Sequence, residues 1–250
     1  MDLSGSTALV TGAASGLGAA TAAALAARGV TVLGLDLPAQ LEKATALDGV
    51  TFAAADVTDE AQVGAALATI ASPLRLVVNC AGIAPAIRLL SSKGVHDVAS
   101  FERTIDVNTV GTFNVMRLAA ELMATEEPLD DDGQRGLIVN TASVAAFDGQ
   151  IGQVAYAASK GAIVGMTLPA ARDLARHGIR VCTIAPGIVA TPLLTALGDK
   201  VVDSLSATVP FPARLSRPDE FATLVLMLAA HDYLNGETIR MDGALRMAPQ

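Results

Sequence analysis

Three side chains within Ser143–Lys160, SVAAFDGQIGQVAYAASK, could share acid–base chemistry: Ser143, Tyr156 and Lys160. On a helix, residues four apart project from one face, so Tyr156 and Lys160 would point the same way. A free phenol ionises near pH ~10, and a tyrosine acting as a base near neutrality needs roughly 4 kcal/mol of preferential stabilisation of its phenolate. One ammonium about 4 Å away, at an effective dielectric of about 20, supplies that amount. Ser143 follows the apolar, strand-like run Gly136–Thr141 and could donate a hydrogen bond to the same reacting oxygen. Alone, a Y-x-x-x-K pair is common on helix surfaces as decoration, so the elements around it decide.

The elements that would position these groups begin with Thr7–Thr11 (TALVT), a short apolar strand that runs into GAASGLG and a helical stretch, Ala19–Arg28. Strand, glycine loop and helix form the usual start of a nucleotide-binding unit. Gly12 permits the tight turn, Gly16 lets backbone approach a pyrophosphate, and Gly18 lets the helix pack closely on the strand. The helix N-terminus then faces the phosphates with unpaired amides. A second strand, Thr31–Leu35, ends at Asp36, about twenty residues after the loop, where a carboxylate accepts bonds from the ribose hydroxyls and repels a 2′-phosphate. With Leu37 and Pro38 beside it and no arginine or lysine in Ala13–Ser15, this favours NAD over NADP. Asp36 capping the next helix is the alternative.

Further strands are expected at Val50–Ala55 (ending at Asp56), Leu74–Asn79, Gly136–Thr141, Ile179–Ile184 and Thr238–Met241. Helices are expected at about Asp59–Ala71, Phe101–Met123, Val154–Arg176 with Pro169 bending or adjusting it, and Pro218–Ala230, with a surface loop over Ile83–Ala99. Strand–helix alternation points to parallel crossovers and an α/β class. No repeats or linkers appear, so one domain over residues 1–250 suffices.

Composition bounds the function. With 52% hydrophobic but only 3% aromatic residues, small aliphatics suit helices packed tightly on a sheet. The formal charge of −8 lacks the clustered Lys and Arg of a nucleic-acid surface. Leu3–Ala27 carries no charge but is broken by Gly, Ser and Thr, which suits neither export nor a membrane span. Cys80 and Cys182 form neither a framework spacing nor a metal motif, and a reduced cytoplasmic setting fits them.

Taken together, T-G-A-A-S-G-L-G at Thr11–Gly18, N-C-A-G at Asn79–Gly82, Asn108 within DVNTVG, Ser143, Y-A-A-S-K at Tyr156–Lys160 and P-G at Pro186–Gly187 resemble the short-chain dehydrogenase/reductase family over essentially the whole chain. The runs from Thr141 to Val181, TIAPGIVATPLL, VPFPARL and LNGETIRMDGA are similar to its type II 3-hydroxyacyl-CoA dehydrogenases. Cys80 departs from the family's frequent Asn, and Ala244 stands where a second glycine is usual.

The resemblance implies a single Rossmann-type doubly wound domain, about seven parallel strands in the order 3-2-1-4-5-6-7 with helices on both faces. It implies Tyr156 as base in oxidation and acid in reduction, Ser143 orienting the substrate oxygen, and Lys160 depressing the tyrosine's pKa and holding the nicotinamide ribose. Asn108 would help hold a relay water. Gly12, Ser15, Gly16, Leu17, Gly18, Asp36, Asp56, Val57, Asn79, Ala81, Gly82, Pro186, Gly187, Val189 and Thr191 would join Tyr156 and Lys160 in contacting NAD, and no metal is implied.

The implied reaction interconverts a secondary alcohol and a ketone, with 3-hydroxyacyl-CoA and 3-oxoacyl-CoA leading, in fatty acid metabolism. A hydroxysteroid or other hydrophobic alcohol dehydrogenase is the same-class alternative, and a non-catalytic cofactor-binding scaffold the remote one. The apolar segment Ile188–Pro212, with Leu193, Leu197 and Phe211, would form a substrate lid. Gln150 and Gln153 either hydrogen-bond the substrate or finish the turn into the helix. Arg88, Lys93, Lys200 and Arg214 would face nucleotide phosphates or serve as surface charges. A homotetramer is implied, through the two long helices and the C-terminal strand region.

Overall fold

In the computed structural model, which describes residues 1–191, 194 and 198–249, seven parallel strands form one sheet. They are β1 (Thr7–Thr11), β2 (Thr31–Asp36), β3 (Val50–Ala54), β4 (Leu74–Asn79), β7 (Gly136–Thr141), β8 (Ile179–Pro186) and β9 (Thr238–Met241). A small antiparallel hairpin, β5 (Leu90–Ser91) with β6 (Gly94–Val95), lies apart from it. The sheet order is β3-β2-β1-β4-β7-β8-β9, so its members, counted among themselves, stand in the expected order 3-2-1-4-5-6-7. Every residue of β1, β4, β7 and β8 is buried, which is why these strands read as continuous apolar runs rather than alternating ones.

Helices cover both faces. On one, α1 (Gly16–Ala26) packs on α8 (Pro218–Ala230), and Leu25, Phe221 and Val225 join Val10 and Val78 in a core. On the other, α3 (Glu60–Leu67), α5 (Gly111–Ala124) and α6 (Val154–Ala175) close over Leu9, Val77 and Ile138 with Val63, Met116, Met123 and Ala171. Two short helices, α2 (Pro38–Leu41) and α7 (Asp199–Ser206), stand outside these layers, and α4 (Val98–Ile105) packs beside α6. Among the described residues no helix is long and apolar enough to cross a membrane.

The chain leaves β1 toward β3, then returns to place β4 on β1's other side. This opens a crevice beyond the carboxyl ends of β1 and β4, the place where ligands bind in open α/β sheets.

Several boundaries differ from expectation for local reasons. The helix expected at Phe101–Met123 begins at Val98 because Asp97 caps it, accepting from the Ser100 N–H at 2.7 Å. It is also interrupted by a π turn, Asp106–Val110, before α5. The helix expected from Asp59 starts at Glu60, with Asp59 as its cap accepting from the Gln62 N–H at 3.0 Å, and ends at Leu67. The glycine-loop helix starts at Gly16 rather than Ala19. Pro169 does not break α6. Cys80 and Cys182 are free thiols, set past β4 and within β8 with β7 between.

Candidate active site

The carboxyl ends of β1, β4, β7 and β8 bring the sequence-selected groups together. Ser143 leaves β7 in extended conformation, and its Oγ accepts from the Ala145 N–H at 3.1 Å to cap a 3-10 turn, Val144–Ala146. Ser143 also lies near enough to Tyr156 to lower its pKa. α6 starts at Val154, so Tyr156 and Lys160 share its inner face. Lys160 is buried, and its Nζ donates to the Thr141 carbonyl at 2.7 Å, at the end of β7.

The ammonium lies 5.8 Å from the centre of the Tyr156 ring, so its strongest contact is the Thr141 carbonyl rather than a phenolic oxygen. Burial therefore dominates: it raises the Tyr156 pKa above the usual phenol value, with the nearby Ser143 hydroxyl opposing it. Burial also pushes Lys160 down to about 8. The expected depression of the tyrosine is absent in this arrangement because the lysine turns toward a neutral carbonyl. Cys80 lies close by; Thr141 Oγ1 donates to its sulfur at 3.7 Å, and burial pushes the thiol up to about 12.

Asn108 sits in the π turn, fully buried. Its Oδ1 accepts from the Ile83 N–H at 2.8 Å, and its Nδ2 donates to the Ile83 carbonyl at 2.8 Å and to Ser159 Oγ at 2.9 Å. The amide thus ties the loop after β4 to α6, with both donors spent and one oxygen lone pair left for a water. Gly82 faces this group: a Cβ there would stand 3.0 Å from Asn108 Oδ1 and 3.6 Å from Lys160 Nζ.

The glycine loop fits a dinucleotide. A Cβ on Gly18 would overlap the Gly12 carbonyl, so α1 can approach β1 only with glycine there, while a Cβ on Gly16 would meet nothing nearer than the Thr191 methyl at 3.4 Å. Ser15 caps α1 without a side-chain hydrogen bond, and no acidic residue sits in the first turn, which leaves the amides around Leu17 open to an anion. Asp36 accepts from the Ala14 N–H at 3.0 Å and the Leu37 N–H at 2.9 Å, keeping half of its acceptor sites for other partners.

Around this crevice, Asp56 accepts from the Thr58 N–H and hydroxyl. The buried Val57 offers its carbonyl to Asn114. The Ala81 N–H donates to Thr11 Oγ1 at 3.1 Å. Asn79 turns its amide inward to Asn140 at 2.9 Å and leaves its Oδ1 unpartnered, so only its backbone can serve a ligand in the crevice. Past β8, the Gly187 N–H donates to the Met241 carbonyl, and Val189 pairs with Ser216.

The substrate candidates fare differently. Gln153 Oε1 accepts from the Gln150 N–H, and Gln150 Nε2 donates to the Ala248 carbonyl; both amides finish the loop before α6. Phe211 is 82% exposed and Leu193 lies outside the described residues, as does Leu197, so the expected lid is seen only at its two feet and in α7. Arg214 is paired with Glu220 at 2.6 Å. Thr141 and Ser159 were missed by sequence reasoning. Ser159 carried a usable signal, a hydroxyl on the inner face of the Y-A-A-S-K turn; Thr141 acts through its carbonyl, which no residue type announces.

A family model described as "short chain dehydrogenase" matches residues 6–201. The chain belongs to the short-chain dehydrogenase/reductase family. It is an oxidoreductase acting on CH–OH groups, and its family works with a nicotinamide cofactor. It is 56% identical to the 3-hydroxyacyl-CoA dehydrogenase type-2 of Drosophila melanogaster, over 96% of this chain and 97% of that one. It is 53% identical to the protein of the same name from Homo sapiens, over 98% and 97%. A crystal structure of 3-hydroxyacyl-CoA dehydrogenase type-2 from Mycobacterium avium superposes with a TM-score of 0.92 at 42% identity, covering 98% of each chain. The steroid-specific and scaffold alternatives gain no support from these likenesses.

Proposed function

We propose that the protein interconverts 3-hydroxyacyl-CoA and 3-oxoacyl-CoA with NAD as cofactor, in a single domain whose segment 188–212 covers the substrate. The observation that carries this is that Ser143 lies close enough to Tyr156 to lower its pKa, with Lys160 buried on the same helix face beside a loop that fits a dinucleotide. The acyl-CoA assignment rests on relatives that bear that name at 53–56% identity.

In this reading Tyr156 exchanges a proton with the substrate oxygen, and Ser143 donates a second hydrogen bond that fixes that oxygen's position. A bound nicotinamide cofactor supplies the partner for hydride exchange at the same carbon. Burial favours the protonated tyrosine, which suits ketone reduction at neutral pH; oxidation requires the phenolate and gains as pH rises. Lys160, held here on the Thr141 carbonyl, would have to turn from it to stabilise that phenolate and hold the nicotinamide ribose, while the glycine loop holds the diphosphate and Asp36 the adenosine ribose. The two feet of the lid are anchored by Val189 on Ser216 and by the Phe211 N–H on the Gly243 carbonyl. The assembly is a homotetramer.

The test is turnover of acetoacetyl-CoA with NADH and with NADPH, in the parent and in Tyr156→Phe. Expected are clear NADH-dependent reduction, at least about 100-fold lower kcat/KM with NADPH, and a loss of about 1000-fold or more in kcat in Tyr156→Phe with NADH affinity kept. Turnover of a steroid ketone but not of acetoacetyl-CoA would overturn the acyl-CoA reading, and equal use of the two cofactors would overturn the role of Asp36.

A further inference from the structure

Between the 3-10 turn and α6, residues 147–153 cross from Ser143 to Tyr156 without regular structure, and Gln150 and Gln153 lie in this crossing. It is held from outside. The Ile151 N–H donates to the Pro249 carbonyl at 2.9 Å, Gln150 Nε2 to the Ala248 carbonyl at 3.0 Å, and the Ile87 N–H to the Gly152 carbonyl at 2.9 Å. Two of these three supports come from the C-terminal tail.

A further side chain bonds both the loop and the turn that leads into the tail. Arg240, in β9, donates from Nε to Asp242 at 2.8 Å and from Nη2 to the Leu245 carbonyl at 3.1 Å, which folds the tail back. The same Nη2 donates to Asp148, and the guanidinium stacks 5.1 Å from the centre of the Phe147 ring, which holds the loop. Asp148 and Arg240 are each only about one-fifth exposed and Asp242 less, so water screens this group weakly. Arg240 in turn holds the Asp148 carboxyl below its usual range. The turn that Arg240 closes also touches two other sides of the crevice: Gly243 accepts from the Phe211 N–H at 3.2 Å, at the foot of the lid, and Met241 accepts from the Gly187 N–H at 2.9 Å.

We propose that Arg240 is a positioning residue that locks residues 147–153, and with them the substrate side of Tyr156, against the C-terminal tail. It touches neither the reacting groups nor the glycine loop, and Gly187 is held by the β9 backbone rather than by this side chain, so loss of Arg240 misplaces substrate without loosening the cofactor. The proposal rests on the catalytic reading of the site given above.

Arg240→Met keeps the aliphatic stem and removes the fork. The measurements are steady-state reduction of acetoacetyl-CoA, NADH affinity by fluorescence titration, and amide hydrogen exchange over 147–153. Expected are a KM for acetoacetyl-CoA raised about 10-fold, a kcat within about threefold, an unchanged NADH Kd, and exchange at 147–153 about 10-fold faster while β1 and α1 keep their protection. Arg240→Lys, which retains one charged donor, should recover part of the KM. Asp148→Asn attacks the contact from the other side, and the double variant should show no larger KM than the worse single one. Asp148→Asn decides the matter alone if Arg240→Met does not fold.

An unchanged KM, unchanged exchange at 147–153, an NADH Kd weakened as much as the substrate KM, or multiplying effects in the double variant would each overturn the proposal. A parent inactive on acetoacetyl-CoA would instead remove the substrate assignment, and the exchange measurement would still decide the positioning.

Discussion

Lys160 is a buried ammonium with one strong partner, the Thr141 carbonyl, and burial lowers its pKa from 10.5 to about 8. Folding therefore works against its charge. Converted by linkage, that difference is at most about 3 kcal/mol of destabilisation at neutral pH. Lys160→Met should accordingly abolish turnover while stabilising the ligand-free protein at pH 7 by up to about that amount. The sign with pH follows directly. Below pH 8 the lysine is charged in both states and the whole penalty stands; between 8 and 10.5 the unfolded chain binds more protons than the folded one, so the parent gains stability as pH rises. The advantage of Lys160→Met should shrink across that window. Urea titrations at pH 7 and pH 10 check it, and a variant less stable than the parent at pH 7 would mean that the lysine's contacts outweigh its desolvation.

At the scale of elements, the tail that Arg240 folds back contains a strained residue. Ala244 adopts φ 66, the left-handed region, where its Cβ crowds the following carbonyl at a cost of about 1–2 kcal/mol. Glycine removes that strain but loses about 0.5–1 kcal/mol more on ordering, so Ala244→Gly should stabilise the protein by up to about 1 kcal/mol. A urea midpoint that falls would contradict this. The departure from the family's second glycine was visible in the sequence; its backbone conformation was not.

The same division runs through the fold. β1, β4 and β7 matched their expected bounds because buried parallel strands are largely apolar runs closed by polar or glycine residues; β9 also matched, although it is only half-buried. Helix starts shifted where a cap decided, as at Asp97 and Asp59, and the π turn around Asn108 was illegible because an added residue in a helix leaves the side-chain pattern nearly intact. Ser143, Tyr156 and Lys160 were legible as types and spacing. What could not be read was direction: Lys160 toward Thr141, Asn108 toward Ile83, and Arg240 back to Asp148, each a contact between segments distant in sequence.

At the scale of the whole molecule, the outer face of α4, the π turn, α5 and α6 leaves large apolar groups in water. Phe101, Val110, Phe113, Val154 and Leu168 are each between 36% and 49% exposed, and Phe101 and Val110 line one shallow surface depression together with Ile105. Half-exposed apolar groups carried together by neighbouring helices favour association. They lie on the helices from which the family resemblance led us to expect a four-helix contact between subunits. Burying a phenylalanine of this size contributes about 1.5–3 kcal/mol, and a carboxylate in its place must be desolvated on assembly. Since a closed two-fold contact uses the same patch from both partners, one substitution acts twice. Phe113→Asp should therefore convert the proposed tetramer to smaller species at micromolar concentration, with the far-ultraviolet spectrum unchanged because the side chain is half exposed in the isolated chain. Light scattering on parent and variant decides it: equal masses would place the subunit contact elsewhere, and a parent that is already monomeric would remove the tetramer altogether.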